Sequence, residues 1–337
     1  MLEVVEPGLL STVQDGGRPA STDLGVPVGG ACDPWSLAVA NLVLGNPPSA
    51  AALEFTLIGP ELRVLRRCVI ALAGADLGGH VVEEGRPIPP GTAHLVHPGT
   101  RLAFDGGDGS RGRDPGDGAR AYLAVAGGID VPSVLGSRGT SLAGAFGGID
   151  GRPLRPGDRI LPLRIDDVAA AGRAWPSRIP LASPSGSIRL LPGPPTLAAP
   201  VTGAFEMLLE SAWRVGPASD RMGIRLEGPP LPANPRTAGA LPSRGVIPGA
   251  VQVPPGGGPI VLLMDAQTVG GYPVAGVVPT VDLPILGQLR PGATVRFVAT
   301  TADEARAAQQ ARQALLAEAA RLLGTAEDWY AVADSMA

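Results

Sequence analysis

VQVPPGGGPIVLLMDAQTVGGYPVAGVVPTVDLPILGQLRPG, residues 251–292, is the stretch of sequence that decides the fold. Short apolar runs alternate in it with clusters of Pro and Gly, a pattern typical of β-strands joined by tight turns. One run, IVLLM, leads directly into Asp265, Gln267 and Thr268, and a double glycine and Tyr272 follow. We therefore expect a buried strand that delivers several polar side chains to one place.

Composition extends this β-rich interpretation to the whole chain. The 337 residues include 48 Gly and 37 Pro, and 45% of them are hydrophobic. Because a single core stops growing at about 250–300 residues, two domains are expected. The formal net charge of -4 gives no electrostatic reason to expect nucleic acid or an anionic membrane as a partner.

The sequence contains no Lys, so all 27 basic residues are Arg. Attachment of biotin, phosphate binding by a P-loop and Schiff-base chemistry each require a lysine. We therefore expect no covalently attached biotin on this chain. If biotin or ATP takes part in the reaction, a partner protein must supply some of the machinery.

Targeting and cysteine signals favour a cytoplasmic protein. The start, MLEVVEPGLL, lacks a basic region followed by a long apolar one, and no run approaches the roughly 20 apolar residues of a membrane span. Cys32 and Cys68 form no CxxC pair and fit reduced thiols. His80, His94 and His97 offer too few ligands for a zinc site, so no metal is expected.

Capping signals predict helices near both ends of the chain. Asp33 before Pro34, with Gly45 after the apolar residues, predicts a helix over 33–45. Thr301 and Glu304 form a capping box for a last helix that ends at Gly324. A further helix is expected near 203–213, strands at 69–77, 92–104 and 119–129, and a solvated loop at 105–119.

Periodicity is lost between 165 and 186, where Ala, Pro and Ser accumulate. We place the domain boundary there and expect an N-terminal domain at 1–170, a C-terminal domain at 180–300 and a helical tail at 301–337. Weak similarities between the halves, such as PGTRLAF at 98 and PGATVRF at 291, suggest a duplication.

Several further motifs occur in a fixed order: PGLLSTVQDGGR (7–18), LGVPVGGACD (24–33), LEFTLIGPEL (53–62), LAGADLG (72–78), LGSRGTSLAG (135–144) and SDRMGIRLEGPPL (219–231). With these motifs and the 251–292 segment, the chain resembles the biotin-dependent carboxyltransferase family. Its members include the C subunit of the ATP-dependent 5-oxoprolinase and the KipA-type antagonists. The resemblance implies a mostly β fold with a few helices, built as two tandem cyclophilin-like β-barrel domains.

The carboxylate of Asp265 follows a buried strand, where ionisation requires a cation or other donors nearby. Arg221 and Arg225, in a family-matching segment, are the candidates. One interpretation is a structural ion pair between two strands. The other is a pocket in which Arg221 and Asp265 are catalytic and the substrate-binding residues are Asp220, Gln252, Gln267, Thr268 and Tyr272.

Other motif residues favour a structural role when each is taken alone. Glu54, Asp76, Arg138 and Thr140 lie beside glycine turns, as active-site residues often do, whereas Asp33 is expected to cap its helix. The glycines at 256–258 and 270–271 could expose backbone N–H groups to an anion, but such clusters are more often tight turns. No GxSxG nucleophile motif is present.

The function that the resemblance implies is that of the C subunit of a multi-subunit 5-oxoprolinase, which opens 5-oxo-L-proline to L-glutamate with ATP hydrolysis. Its partners would be the A subunit, of the LamB/YcsF type, and the B subunit, of the KipI type, and the chain would be inactive alone. Two alternatives remain open. One is the carboxyltransferase component of a biotin-dependent urea or amide carboxylase, and the other is a non-catalytic KipA-like antagonist of a KipI-type kinase inhibitor.

Overall fold

The structure is a computed structural model, and it describes residues 1–105, 118–164, 168–181, 187–195, 201–232 and 242–325. Most of the solvated loop expected at 105–119 therefore lies outside the described residues. No described helix is both long enough and apolar enough to cross a membrane.

The chain forms two compact units. The first consists of 1–17, 29–183 and the residues from 313 onward, and the second of 18–28 and 184–312. The cut at 183/184 falls close to the predicted boundary. In addition, a short N-terminal segment groups with the second unit and the end of the chain with the first, so the units are not continuous in sequence.

The first unit contains two antiparallel sheets and helix α1 (Pro34–Leu44). Its strands are β1 (Leu2–Glu6), β2 (Leu10–Gln14), β3 (Ala52–Thr56), β4 (Glu61–Val64), β5 (Cys68–Gly74), β6 (His80–Val81), β7 (Arg86–Pro87), β8 (Ala93–Val96), β9 (Arg101–Ala103), β10 (Arg120–Val125) and β11 (Arg159–Ile160). The strand orders are β11-β1-β4-β9-β6-β7 and β2-β3-β10-β5-β8.

Strand β10 explains how the first unit is layered. Because successive side chains of a strand point to opposite faces, Leu123 and Val125 pack into the core with residues of the other sheet. Tyr122 and Ala124 pack on the opposite face against α1. The sheet is therefore buried on both faces, and its strand β5, CVIALAG, is a continuous apolar run rather than an alternating one.

The predicted helix at 33–45 is confirmed, and its boundaries follow from the caps. The Asp33 carboxylate accepts a hydrogen bond from the Ser36 N–H at 3.0 Å. Gly45 ends the helix with φ 76°, in the left-handed region. The expected strands at 69–77, 92–104 and 119–129 are confirmed as β5, β8 with β9, and β10.

The second unit contains an eight-stranded sheet, a two-stranded ladder and short helices. Its strands are β12 (Ile188–Pro192), β13 (Trp213–Val215), β14 (Gly223–Glu227), β15 (Arg244–Gly245), β16 (Ala250–Gln252), β17 (Ile260–Leu262), β18 (Val269–Gly270), β19 (Val274–Val277), β20 (Thr294–Val295) and β21 (Phe297–Ala299). The helices are α2 (Ala204–Glu210), α3 (Leu283–Gln288) and the start of α4 (Ala302–Leu323), with 3-10 turns at Pro19–Leu24 and Thr280–Asp282.

The eight-stranded sheet is nearly closed. Its order is β20-β13-β14-β17-β16-β19-β12-β21, so its two edge strands are consecutive in the chain and only Arg296 separates them. A sheet whose edges meet in this way resembles a barrel. The prediction of a mostly β fold with a few helices is confirmed, whereas the pair of tandem cyclophilin-like barrels stays a prediction.

The predicted last helix, α4, begins with the capping box. The Glu304 N–H donates to the Thr301 Oγ1 at 3.2 Å, and the Glu304 carboxylate accepts from the Thr301 N–H at 2.9 Å. The bond from the Thr301 N–H lowers the pKa of the Glu304 carboxyl, and the hydroxyls of Thr300 and Thr301 add to this effect. The helix ends before Gly324, as predicted.

Candidate functional site

Strand pairing in the second unit brings Arg221 and Asp265 together. β14 runs antiparallel to β17, with Gly223 opposite Leu262. Arg221 precedes β14 and Asp265 follows β17, so the two residues meet at the same end of the strand pair. Two backbone bonds continue the pairing there, from the Leu263 N–H to the Met222 carbonyl and from the Asp265 N–H to the Arg221 carbonyl, both at 3.0 Å.

The Arg221 guanidinium binds both carboxylate oxygens of Asp265. The distances are 2.8 Å from Nε to Oδ2 and 2.9 Å from Nη2 to Oδ1. Only 3% of Arg221 and 8% of Asp265 are exposed. The two parallel bonds fix the orientation of both side chains. Because the pair is buried, removal of either partner would leave an uncompensated charge.

Asp220 stays within its own turn. Its Oδ1 accepts hydrogen bonds from the Met222 N–H at 2.7 Å and the Gly223 N–H at 3.2 Å. The side chain thereby shapes the turn that leads from β13 into β14 and holds the backbone of Arg221 in place.

Gln252 and Gln267 form a second contact in this unit. Gln252 ends β16 and is 1% exposed, and its Oε1 accepts a hydrogen bond from Gln267 Nε2 at 3.3 Å. Within the described part of the chain, Gln252 Nε2 has no hydrogen-bond partner. A methyl group on Gly270 would lie 2.7 Å from that nitrogen. A buried N–H without an acceptor is costly, and the oxygen of a ligand could satisfy it.

Thr268 and Tyr272 lie on the segment that follows Gln267. The Thr268 carbonyl accepts a bond from the Val246 N–H at 2.9 Å, next to the ladder of β15 and β18. The Tyr272 side chain is exposed. The structure thus joins Arg221 to Asp265 and Gln252 to Gln267; among the described residues, no hydrogen bond links Asp220, Thr268 or Tyr272 to either pair.

A polar cluster in the first unit centres on Asp15, which the sequence analysis did not select. Its Oδ1 accepts hydrogen bonds from the Gly17 N–H at 2.8 Å and Ser137 Oγ at 2.6 Å, and its Oδ2 accepts from the Arg138 N–H at 2.6 Å. The carboxylate therefore joins two motif segments that lie far apart in the sequence. One signal was available: Gln14 is the last residue of strand β2 and Asp15 follows that strand directly, much as Asp265 comes soon after β17.

Two buried oxygens of this cluster lack partners within the described residues: Gln14 Oε1 and Thr140 Oγ1. The other end of the Gln14 side chain is fixed, because its Nε2 donates to the Thr140 carbonyl at 3.2 Å. A Cβ atom on Gly139 would lie 3.0 Å from Gln14 Oε1 and 2.9 Å from Asp15 Oδ1, which explains the glycine. The cluster is a second candidate for contact with a ligand.

Glu54 supports the start of α1. Its Oε2 accepts hydrogen bonds from the Cys32 N–H at 2.9 Å and the Tyr122 hydroxyl at 2.7 Å, and the Arg120 Nε lies 3.7 Å from its Oε1. The Tyr122 oxygen in turn accepts from the Asp33 N–H at 2.8 Å. Burial, and then the charge of Glu54, raises the pKa of Tyr122 well above its usual value. These bonds hold the residues at the start of α1 in place.

Asp76 and Arg138 make local contacts. The Asp76 Oδ1 accepts from the Gly78 N–H at 3.0 Å, and the Arg138 Nη1 donates to the Val131 carbonyl. Burial lowers the pKa of His94. Across the ranges that the structure describes, no group of three or more His, Cys, Asp or Glu residues could hold a metal ion.

A family model and a known protein both match most of the length of this chain. The family model "Carboxyltransferase domain, subdomain A and B" matches residues 24–299. The C subunit of 5-oxoprolinase from Escherichia coli (strain K12) is 37% identical over 319 residues, which cover 93% of this chain and 96% of that protein.

Two proteins named for urea chemistry are also similar. The urea amidolyase of Lachancea kluyveri is 32% identical, and the match covers 93% of this chain but 18% of that protein. The crystal structure of the Kluyveromyces lactis urea carboxylase superposes with a TM-score of 0.81 at 30% identity, over 94% of this chain and 29% of that one. The chain therefore spans less than a third of the length of either of these two.

Proposed function

The chain belongs to the family of carboxyltransferase domains, subdomains A and B, and we propose that it acts as the C subunit of a multi-subunit, ATP-dependent 5-oxoprolinase. One observation carries the proposal: the match to the C subunit of the E. coli 5-oxoprolinase extends over nearly the whole of both chains. The urea enzymes, in contrast, match over a small part of their own length.

The proposed reaction opens the lactam of 5-oxo-L-proline to L-glutamate. An unstrained amide resists attack by water, and phosphorylation of its oxygen by ATP makes the ring carbon more electrophilic. Water adds to that carbon, the C–N bond breaks as the nitrogen takes up a proton, and inorganic phosphate is released. The protein then has to orient the lactam, stabilise the anionic groups and guide the proton transfers. This chemistry requires neither a lysine nor a nucleophilic serine on this chain.

Gln252 would bind the lactam carbonyl. Its Nε2 is buried without a partner among the described residues, and it therefore gains a hydrogen bond when a ligand oxygen approaches. Gln267 would orient the Gln252 amide through the bond to Oε1. Gly270 supports this role, because it places no side chain beside the Gln252 nitrogen.

Arg221 would bind the substrate carboxylate or the transferred phosphoryl group, and Asp265 would be its positioning residue. Asp265 holds the guanidinium through its Nε and Nη2, and a guanidinium suits both carboxylate and phosphoryl groups. Both oxygens of Asp265 already accept hydrogen bonds from Arg221, which favours orientation over general-base catalysis. Asp220, Thr268 and Tyr272 complete the proposed substrate-binding set.

The proposed complex contains an A subunit of the LamB/YcsF type and a B subunit of the KipI type. Since this chain has no lysine, we propose that partner residues contribute to ATP binding and that the chain is inactive alone. We also propose the cytoplasm as its compartment, because both cysteines are unpaired thiols.

A second candidate function is carboxyl transfer from the biotin of another protein to urea or a similar amide. The K. lactis urea carboxylase superposes on 94% of this chain, and this match favours carboxyl transfer as the second candidate. The two functions share a requirement for a small planar N–C=O group, which Gln252 could bind in either case.

The test is reconstitution with the candidate A and B subunits and measurement of ATP-dependent glutamate release from 5-oxoproline. We expect activity with the intact chain and none when it is omitted or carries Arg221→Ala. Arg225→Ala is the matched control, because Arg225 is an exposed arginine of the same segment. A stable complex that contains the intact chain and shows no activity would refute the assignment, and urea-dependent use of carboxybiotin would support the second candidate.

A further inference from the structure

A cavity of about 240 Å³ lies in the first unit at the starting end of β5. Cys68, the first residue of β5, and Ala126, which follows β10, both line it. Residues 161–164 also line it. The volume is roughly that of eight molecules of liquid water, so the cavity accommodates a ligand smaller than a typical drug.

The charges that line this cavity, here called the Cys68 cavity, are mainly positive. Arg66, Arg67 and Arg164 line it together with one carboxylate, Asp130. Asp130 lies 4.0 Å from Arg138, which partly balances its charge. In the part of the chain that the structure describes, Arg67 and Arg164 have no carboxylate partner.

Backbone hydrogen bonds to residues 128 and 130 hold the 161–164 segment in place. The Leu163 N–H donates to the Gly128 carbonyl at 3.0 Å, and the Asp130 N–H donates to the Leu161 carbonyl at 2.8 Å. Gly127, with φ 88°, contacts the Arg164 backbone so closely that a Cβ atom would lie 3.0 Å from the Arg164 carbonyl oxygen. The wall of the cavity is therefore built by defined contacts.

The same wall supplies apolar surface. Leu161 and Leu163 are 42% and 46% exposed, and Pro162 lies between them. An apolar wall beside Arg67 and Arg164 suits a ligand that has both an anionic group and a hydrocarbon part. Asp130 disfavours a second negative charge on the ligand.

We propose that the Cys68 cavity binds a small organic monocarboxylate, with the carboxylate at Arg67 and Arg164 and the hydrocarbon part against Leu161 and Leu163. The site uses none of the residues of the proposed lactam site. It would be a separate ligand site, and it does not depend on the proposed function.

The probe for this site is 4-fluorobenzoate, observed through its fluorine NMR line width with the full chain. We expect saturable binding that the neutral 4-fluorobenzamide does not reproduce, because only the carboxylate can pair with the arginines. Arg67→Ala with Arg164→Ala should weaken binding about tenfold or more. The control removes the same charge from exposed arginines outside the cavity, Arg155→Ala with Arg159→Ala, and should bind as the wild type does.

Cys68 reports where the probe binds. Burial raises the pKa of the Cys68 thiol, so its alkylation by iodoacetamide will be slow and can be followed by peptide mass spectrometry. Bound 4-fluorobenzoate should slow that alkylation further, whereas Cys32, which does not line the cavity, should be unaffected. Absence of binding, equal binding of the amide, or binding that leaves Cys68 unprotected would each overturn the proposal.

Discussion

Arg189 and Asp282 form a second bidentate ion pair in the unit that contains Arg221 and Asp265. Arg189 Nε and Nη2 donate to the two carboxylate oxygens of Asp282 at 3.0 and 2.7 Å. This pair raises the pKa of Arg189 and ties β12 to the 3-10 turn at Thr280–Asp282. Its geometry matches that of the candidate site, but the Arg189 side chain is 35% exposed. It is therefore a natural control for experiments on Arg221.

The first prediction separates a structural role of Arg221 from a functional one. Arg221→Ala should lower the free energy of unfolding by about 3–5 kcal/mol, since it leaves the Asp265 carboxylate buried and unpaired. The double change Arg221→Met with Asp265→Leu should recover most of that loss. Urea denaturation measures both effects, and the stable double variant should still fail to support glutamate release in the reconstituted complex.

The control for this experiment is Arg189→Met with Asp282→Leu. It replaces the other bidentate pair by similar apolar residues and should leave kcat and KM close to those of the wild type. If the Arg221 and Asp265 double variant also retained full activity, the pair would be structural only.

The second prediction concerns Gln252. Gln252→Leu removes an amide nitrogen that lacks a partner among the described residues, so thermal unfolding should occur at the same temperature or a higher one. Substrate binding should weaken, with KM for 5-oxoproline rising about tenfold. Gln252→Glu has nearly the same shape but lacks the N–H donor, and it should show the same rise in KM. A normal KM in both variants would remove Gln252 from the site.

The third prediction tests the space beside Gln252. Gly270→Ala would place a methyl group 2.7 Å from Gln252 Nε2, displacing the amide and raising KM. Gly245→Ala is the matched control, because Gly245 lies on the partner strand β15 with no atom within 4 Å of an added Cβ. Steady-state kinetics of the two variants should differ, whereas their melting temperatures should be similar.

The fourth prediction concerns acid stability. Hydrogen bonds from Arg152 at 2.7 and 2.9 Å hold the pKa of Asp158 below its usual value, and the Arg155 N–H adds to this effect. A carboxyl whose pKa is lowered in the folded state stabilises the protein above its unfolded pKa, near 4. That contribution is lost as the pH falls through the folded pKa.

Urea denaturation at pH 6, 4 and 3 checks this prediction. The unfolding free energy of the wild type should fall between pH 4 and pH 3 by more than that of Asp158→Asn, which has no carboxyl to protonate. The opposite order would show that Asp158 gains no stability from its charge.

Local signals in the sequence predicted the helices well. Asp33 and Gly45 fixed the ends of α1, and Thr301 with Glu304 fixed the start of α4, because caps act within one helical turn. Local signals could not show which of the two arginines, Arg221 or Arg225, pairs with Asp265. Arg225 lies opposite Ile260 in the ladder of β14 and β17 with an exposed side chain, whereas Arg221 precedes the ladder and reaches Asp265.

The Asp15 cluster was missed for a related reason. Ser137 and Arg138, which donate to its carboxylate, follow it by more than a hundred residues. No periodicity connects such segments, since only the folded arrangement of the first unit brings them together. Likewise, we predicted domains as continuous stretches of sequence, and such domains cannot include residues 18–28 in the second unit.

The nearly closed sheet has a consequence for synthesis of the chain on the ribosome. Both of its edge strands, β20 and β21, come from the six residues 294–299. Until these emerge, β13 and β12 each lack the outer neighbour that covers them in the finished sheet. Exposed strand edges recruit strands from other chains, so a nascent or truncated chain that stops short of residue 294 would be prone to aggregate at two places at once.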